Sequence, residues 1–222
     1  MAALGGIERQ PRGFGALLIV AAAVPALWFA WAIYSDFARG TRFLGSDPIK
    51  AAEHAYGEWT LRFLLLTLAI TPLRRVTHWN WLAKHRRTLG LYAFTYGVLH
   101  LSVWAIIDVQ LIIDDLVGWD TVVEDLLKRP FITIGMTALL LMLPLALTST
   151  KKMIARLGKS WRKLHRLVYV VAALGLVHFW MAVKLDIREP AIYILIYLVL
   201  MGWRWRDSRR RAAAAGGEVA AA

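Results

Sequence analysis

The 222-residue chain is 59% hydrophobic, has a mean hydropathy of +0.51 and carries eleven tryptophans, above the ~45–50% apolar content of a soluble domain. Several apolar windows exceed about eighteen residues, which predicts an all-α, polytopic transmembrane bundle with little chain left for a soluble domain. The absence of cysteine excludes disulfides, thiolate zinc sites, cysteine-ligated iron–sulfur clusters and covalent CxxCH attachment of a haem.

In chain order, 1–13 is a short tail with Arg9 and Arg12. Helix 1 is expected over Phe14–Tyr34, kinked at Pro25, and is too long for a signal-peptide core. A polar loop containing GSDPIKAAEH follows. Helix 2 is expected over Tyr56–Leu73, with Arg62 near its start and able to snorkel. After the basic, tryptophan-rich RRVTHWNWLAKHRR come helix 3, Thr88–Ile107, and an acidic loop, 108–129. Its VQLIIDDLVGW stretch is suited to lie along a membrane surface, and its acids to dock a partner of complementary charge. Helix 4, Pro130–Thr148, has proline in its first turn, where no amide bond is lost. The basic KKMIARLGKSWRK leads into helix 5, Leu164–Val183. Helix 6 spans about Pro190–Trp205, and 206–222 is read as a disordered tail. The expected architecture is therefore a six-helix transmembrane domain over 14–205, with a short tail at each end.

Charge sets the orientation. The two termini, the 74–87 loop and the 149–166 segment hold nineteen of the 27 Lys and Arg and three of the 15 acids. By the positive-inside rule these lie in the cytoplasm. The net charge of +12 then reflects orientation and anionic lipid, and calls for no nucleic acid.

Three histidines stand in or at the apolar stretches. His100 lies thirteen residues beyond Arg87 on helix 3, and His178 fifteen beyond Lys163 on helix 5. At about 1.5 Å per residue both fall about 20 Å from the cytoplasmic face. Ionisable groups at that depth mark functional sites, and imidazole is a common axial ligand of haem iron. Two at matching depth suit one iron gripped from opposite sides. Each follows a glycine at i−3, Gly97 and Gly175, which clears space for a porphyrin or permits close helix packing. His165 lies at the cytoplasmic edge, about 20 Å and about 140° around the helix from His178. It reads equally as a ligand of a second haem, given a π-bulge, or as hydrogen-bonded structure. His54, His78 and His85 are read as solvated, His85 also being placed to complete a second site. Arg62 and Lys184, near the outer interface, are candidates for pairing with haem propionates or for simple snorkelling.

The runs RFLLLTLAITPLRR, RRTLGLYAFTYGVLH, KRPFITIGM, LPLALTST and LGKSWRKLHRLVYV, followed by HF, closely resemble one bacterial family over about residues 45–185. It comprises the haem-binding membrane subunits of protein-methionine-sulfoxide reductase systems (MsrQ, formerly YedZ), within the ferric-reductase-like transmembrane group. The resemblance implies a cytochrome-b-like bundle in the inner membrane, with b-type haem held by histidines matching His100, His165 and His178. It also implies FMN as a further cofactor, electrons from the respiratory quinone pool, and delivery to a periplasmic molybdopterin-dependent methionine sulfoxide reductase. The chain would then be an electron-transfer subunit and not the catalytic one. A self-contained metalloreductase or oxidase would need a dinucleotide-binding motif, and no GxGxxG follows helix 6. A transporter would show paired broken helices, and none is evident.

Overall fold

The computed structural model describes residues 9–105, 118–183 and 186–220, and among these there is no strand. The elements are α1 (Phe14–Arg39), α2 (Pro48–Thr77), a 3-10 helix (Asn80–His85), α3 (Arg86–Val103), α4 (Gly118–Lys128), α5 (Pro130–Leu147), α6 (Lys151–Leu157), α7 (Lys159–Leu164), α8 (Leu167–Ala182) and α9 (Arg188–Ala220). The six expected spans map onto α1, α2, α3, α5, α8 and α9. Among the described residues, and by length and hydropathy alone, three segments suffice to cross a membrane: Phe14–Arg39, Pro130–Leu147 and Lys159–Ala182. Large apolar side chains such as Leu17, Leu27, Leu140 and Leu195 point outward, as they do where the solvent is hydrocarbon. Residues 108–117 of the acidic loop, and with them most of its VQLIIDDLVGW stretch, lie outside the described residues.

Several boundaries move for identifiable reasons. The stretch expected as a polar loop is helical from Pro48 onward. Asp47 caps it by accepting from the Lys50 amide at 3.0 Å, and Pro48 occupies the first turn, a standard helix start. This places His54 on α2, together with Glu58. Helix α1 continues to Arg39 and ends at Gly40, whose φ of 67° is left-handed. The Asp36 carboxylate then folds the following loop back, accepting from Thr41 Oγ1 at 2.6 Å and from the Phe43 and Leu44 amides at 2.9 Å. Next to Pro25, which lies inside α1, the hydroxyl of the fully buried Tyr96 enters the helix ladder. It accepts from the Ala26 amide at 2.9 Å and donates to the Ala22 carbonyl at 2.7 Å, one of the recognised causes of helix bending. Helix α3 ends at Val103, followed by a wider π-type turn at 104–105.

Helix 5 is not continuous. It breaks after α7, where Arg166 and Val168 amides bond back three residues to Lys163 and His165 carbonyls. Helix α9 runs on to Ala220, through the segment read as a disordered tail. Its continuation is anchored by Asp207, which pairs with Arg75 of α2 and with Arg211 at 2.7 Å, and it runs on through four consecutive alanines, Ala212 to Ala215, the best helix formers. Arg204 also donates to the Leu68 carbonyl, tying α9 to α2 at this basic end. Within the bundle α2 packs along α3 and α5 along α8, and these two pairs hold the site.

Candidate cofactor site

His100 on α3 and His178 on α8 meet across one cavity, their ring centroids 5.9 Å apart and their planes at 81°. The two Nδ1 atoms are held in the same way by different helices. His100 Nδ1 lies 2.8 Å from the Glu53 carbonyl of α2, and His178 Nδ1 lies 2.6 Å from the Phe131 carbonyl of α5. A carbonyl only accepts, so each Nδ1 carries the proton and each Nε2 keeps its lone pair for a metal. Neither Nε2 has a hydrogen-bond partner among the described residues.

The facing helices also make room for the rings. A Cβ added at Gly57 would sit 3.2 Å from His100 Nδ1, and one at Gly135 would sit 2.7 Å from His178 Nδ1. Gly57 lies four residues after Glu53, and Gly135 four after Phe131. Each ring therefore rests in a glycine notch one turn beyond the carbonyl that orients it. Sequence reasoning missed both glycines because it examined the histidines' own helices. The legible signal was a glycine at similar depth on the neighbouring helix.

This arrangement fits a haem. The 5.9 Å between ring centroids would leave room for one metal ion about 2 Å from a nitrogen of each imidazole. The cavity measures about 350 Å³, inside the ~300–1,000 Å³ range of ligand pockets, and Leu61, Leu64, Leu139 and Phe179 make much of its wall. Among the described residues no group of three or more His, Asp or Glu could hold a bare metal ion. The donor set is two neutral imidazoles.

Other expected residues divide. Gly97 and Gly175 line the cavity and also serve packing, since a Cβ at either would lie 3.0 Å from a leucine methyl, of Leu139 and Leu61 respectively. Arg62 does not line it. Its guanidinium is bound to Glu58 at 2.5 Å and to the Tyr193 hydroxyl at 2.8 Å, and lies 4.9 Å over the Trp59 ring. The basic side chains at the cavity are instead Lys50 and Arg129. Lys184 lies outside the described residues.

His165 is separate from this pair. Its ring stacks on Trp161 at 3.8 Å, its Nδ1 lies 3.1 Å from the Trp161 carbonyl and its Nε2 3.4 Å from Ser149 Oγ. It borders a second cavity of about 390 Å³ at the basic end, with Lys84, Arg86, Arg87 and Arg204, where it is the one histidine in the lining. Leu64 and Met142 border both cavities and form the wall between them. His85, expected to be solvated, is buried beside Phe14 and Trp81, and burial pushes its imidazole below the usual range. His54, also expected in a loop, bonds Glu58 at 3.1 Å. That bond holds the His54 imidazole above its usual range, against the opposing effect of burial. His78 ends α2 with a φ of 61°.

A histidine from each of two helix pairs meets the other across an apolar cavity inside a helical bundle, an arrangement able to hold a haem. Residues 56–176 match the family model of the ferric reductase like transmembrane component. Among curated proteins, a "Protein-methionine-sulfoxide reductase heme-binding subunit MsrQ" from Xanthomonas oryzae pv. oryzae (strain MAFF 311018) is 44% identical over 196 residues, covering 88% of this chain and 87% of that protein. The same-named protein of Azospira oryzae (strain ATCC BAA-33 / DSM 13638 / PS) is 46% identical over 198 residues, 88% of this chain and 80% of its own length. That of Xanthomonas campestris pv. campestris (strain 8004) is 45% identical over 192 residues, 86% and 85% respectively. No solved structure matches. The chain belongs to the MsrQ family, within the ferric-reductase-like transmembrane group.

Proposed function

We propose that the chain is a six-span, b-type haem electron-transfer subunit that passes electrons from the respiratory quinone pool to a periplasmic, molybdenum-cofactor methionine sulfoxide reductase. The observation that supports it most is the matched pair of imidazoles, His100 and His178, each fixed through Nδ1 to a neighbouring helix's carbonyl. A haem bound between them supplies one-electron chemistry at its iron. The chain's own residues do the rest. His100 and His178 would hold the haem iron, and the Glu53 and Phe131 carbonyls fix their tautomer and raise their basicity. Leu61, Leu64, Leu139 and Phe179 exclude water. Lys50 and Arg129 bring positive charge to the site, where haem carboxylates need it.

The cavity at His165 is the place for a second redox group, a further haem or the FMN that the family resemblance implies. Arg86, Arg87 and Arg204 suit the anionic substituents of either. With both termini cytoplasmic, the His165 end faces the quinone-derived electrons and the His100–His178 end faces the periplasm.

The purified protein, expressed with haem in excess, is expected to show the α-band of a reduced low-spin b-type haem. A colourless preparation would overturn this reading. Orientation has its own test. A reporter active only in the cytoplasm is expected to work after Ala222, and one active only in the periplasm within 114–125. The reverse pattern would reverse the direction of electron flow.

A further inference from the structure

Between α5 and α8 the chain passes through two short helices, α6 and α7, that carry charge of one sign only. Residues 149–166 hold seven Lys and Arg and no acid, and all seven are exposed. None of them forms an ion pair with an acid among the described residues. Spacings of three and four put Lys152 and Arg156 on one face of α6, and Lys159, Arg162 and Lys163 on one face of α7. Met153, Leu157, Trp161 and Leu164 lie on the other side and are half-buried. Neither helix has a fully buried residue, and the two pack chiefly on each other.

This strap is pinned by one ring. Thr150 Oγ1 accepts from the Met153 amide at 3.2 Å and starts α6. Gly158, with a φ of 49°, turns the chain into α7. Trp161 Nε1 then donates to the Thr148 carbonyl at 3.0 Å, and the Trp161 ring stacks on His165. Trp161 and Ile154 both line the cavity at His165. The seat of the strap therefore decides how well that cavity is covered at the basic end.

The chemistry of the strap selects its partner. Helix α5, apolar and long enough to cross a membrane, ends at Leu147, so the strap begins where the chain leaves hydrocarbon. Lys and Arg on one face with Trp and Leu on the other is the composition of helices that lie in a membrane interface. An array of cations with no acid among them suits diffuse negative charge of no particular shape. Anionic headgroups at a leaflet surface supply it.

We propose that α6 and α7 form a lipid-held strap. Anionic phospholipid headgroups dock on its lysines and arginines, keep Trp161 seated on His165, and so hold the His165 cavity covered. The inference takes from the functional reading only the membrane setting, and it depends on neither haem nor electron flow.

The chain has no cysteine, so Ser160→Cys and Ile154→Cys each create one labelling site. The full-length protein is placed in nanodiscs of phosphatidylcholine, with or without phosphatidylglycerol. A spin label at position 160 reads docking, and the reaction rate of a water-soluble maleimide at position 154 reads cavity cover. At low salt, phosphatidylglycerol is expected to immobilise the label and slow the maleimide several-fold. Salt at about 1 M, where the Debye length is about 3 Å, is expected to reverse both effects. Each cation at such a surface strengthens attachment about fivefold. Replacing Lys159, Arg162 and Lys163 together by Gln should therefore give phosphatidylcholine-like behaviour in either lipid, with the far-UV helical signal retained. The same replacement of Lys151, Lys152 and Arg156 serves if the first variant fails to fold. Equal readings in the two lipids overturn the proposal, as does a lipid effect that survives both triple replacements. Immobilisation without a slower maleimide reaction overturns the covering of the cavity. Immobilisation by added poly-glutamate and not by phosphatidylglycerol would overturn the lipid assignment in favour of an acidic protein.

Discussion

Alanine at either His100 or His178 is expected to remove the low-spin haem spectrum, whereas His165→Ala leaves that spectrum in place. Each of the first two substitutions deletes one iron bond and leaves the opposite imidazole, still fixed to its carbonyl, without the partner across the cavity. Loss of a mere outer partner of a metal-ligating histidine commonly costs about 10–100-fold in affinity, so losing the ligand itself should lower haem occupancy by more than about tenfold. Any haem retained should be high-spin. His165 lies beyond the Leu64 and Met142 wall, in the other cavity, and bears on a different group. If it holds a second redox group, His165→Ala loses that group's absorbance and stalls overall transfer with the first spectrum intact. If it is structural, both survive. The measurement is haem per protein with oxidised and reduced spectra for the three variants. Normal haem in His178→Ala alongside complete loss in His165→Ala would place the principal site at the wrong end of the bundle.

The helical class and the pairing of His100 with His178 were legible because both rest on one-dimensional properties. Apolar length implies helices, and residue count from the basic flank gives depth. Equal depth, with a glycine at i−3 of each, pointed to two rings that the fold sets 5.9 Å apart. What failed depends on which side of a helix faces which neighbour. Arg62 looked available to a cofactor by its height in the membrane, yet it turns toward Tyr193 of α9 and Trp59. His54 was hidden by a misplaced helix start, although Asp-Pro at 47–48 is a readable cap followed by a first-turn proline. His85 was read as solvated from its basic neighbours, but the aromatic side chains of Phe14 and Trp81 enclose it. The break before α8 was not legible at all.

Gly135→Ala is expected to reduce haem binding more than any other single-methyl addition around the site, with Gly57→Ala next. A Cβ at Gly135 would lie 2.7 Å from His178 Nδ1 and 2.8 Å from Cε1, closer than real contacts allow, so the ring must move. Moving it breaks the 2.6 Å bond to the Phe131 carbonyl that fixes its tautomer. At Gly57 the approach to His100 is 3.2 Å, tight enough to shift the ring by a few tenths of an ångström. Overpacking of this kind typically costs about 1–3 kcal/mol, and about 1.4 kcal/mol is tenfold in affinity. The loss should therefore lie between about 5-fold and about 150-fold for Gly135→Ala and be smaller for Gly57→Ala. Gly97→Ala and Gly175→Ala provide the comparison, because each would meet at 3.0 Å the flexible tip of a leucine and no imidazole. Alanine is the better helix former at all four positions, by about 1 kcal/mol, so general unfolding does not predict the same order. Haem occupancy measured across the four variants decides the matter. Full retention in Gly135→Ala with loss in Gly175→Ala would mean that the rings are held from their own helices, and that the notches on α2 and α5 are packing alone.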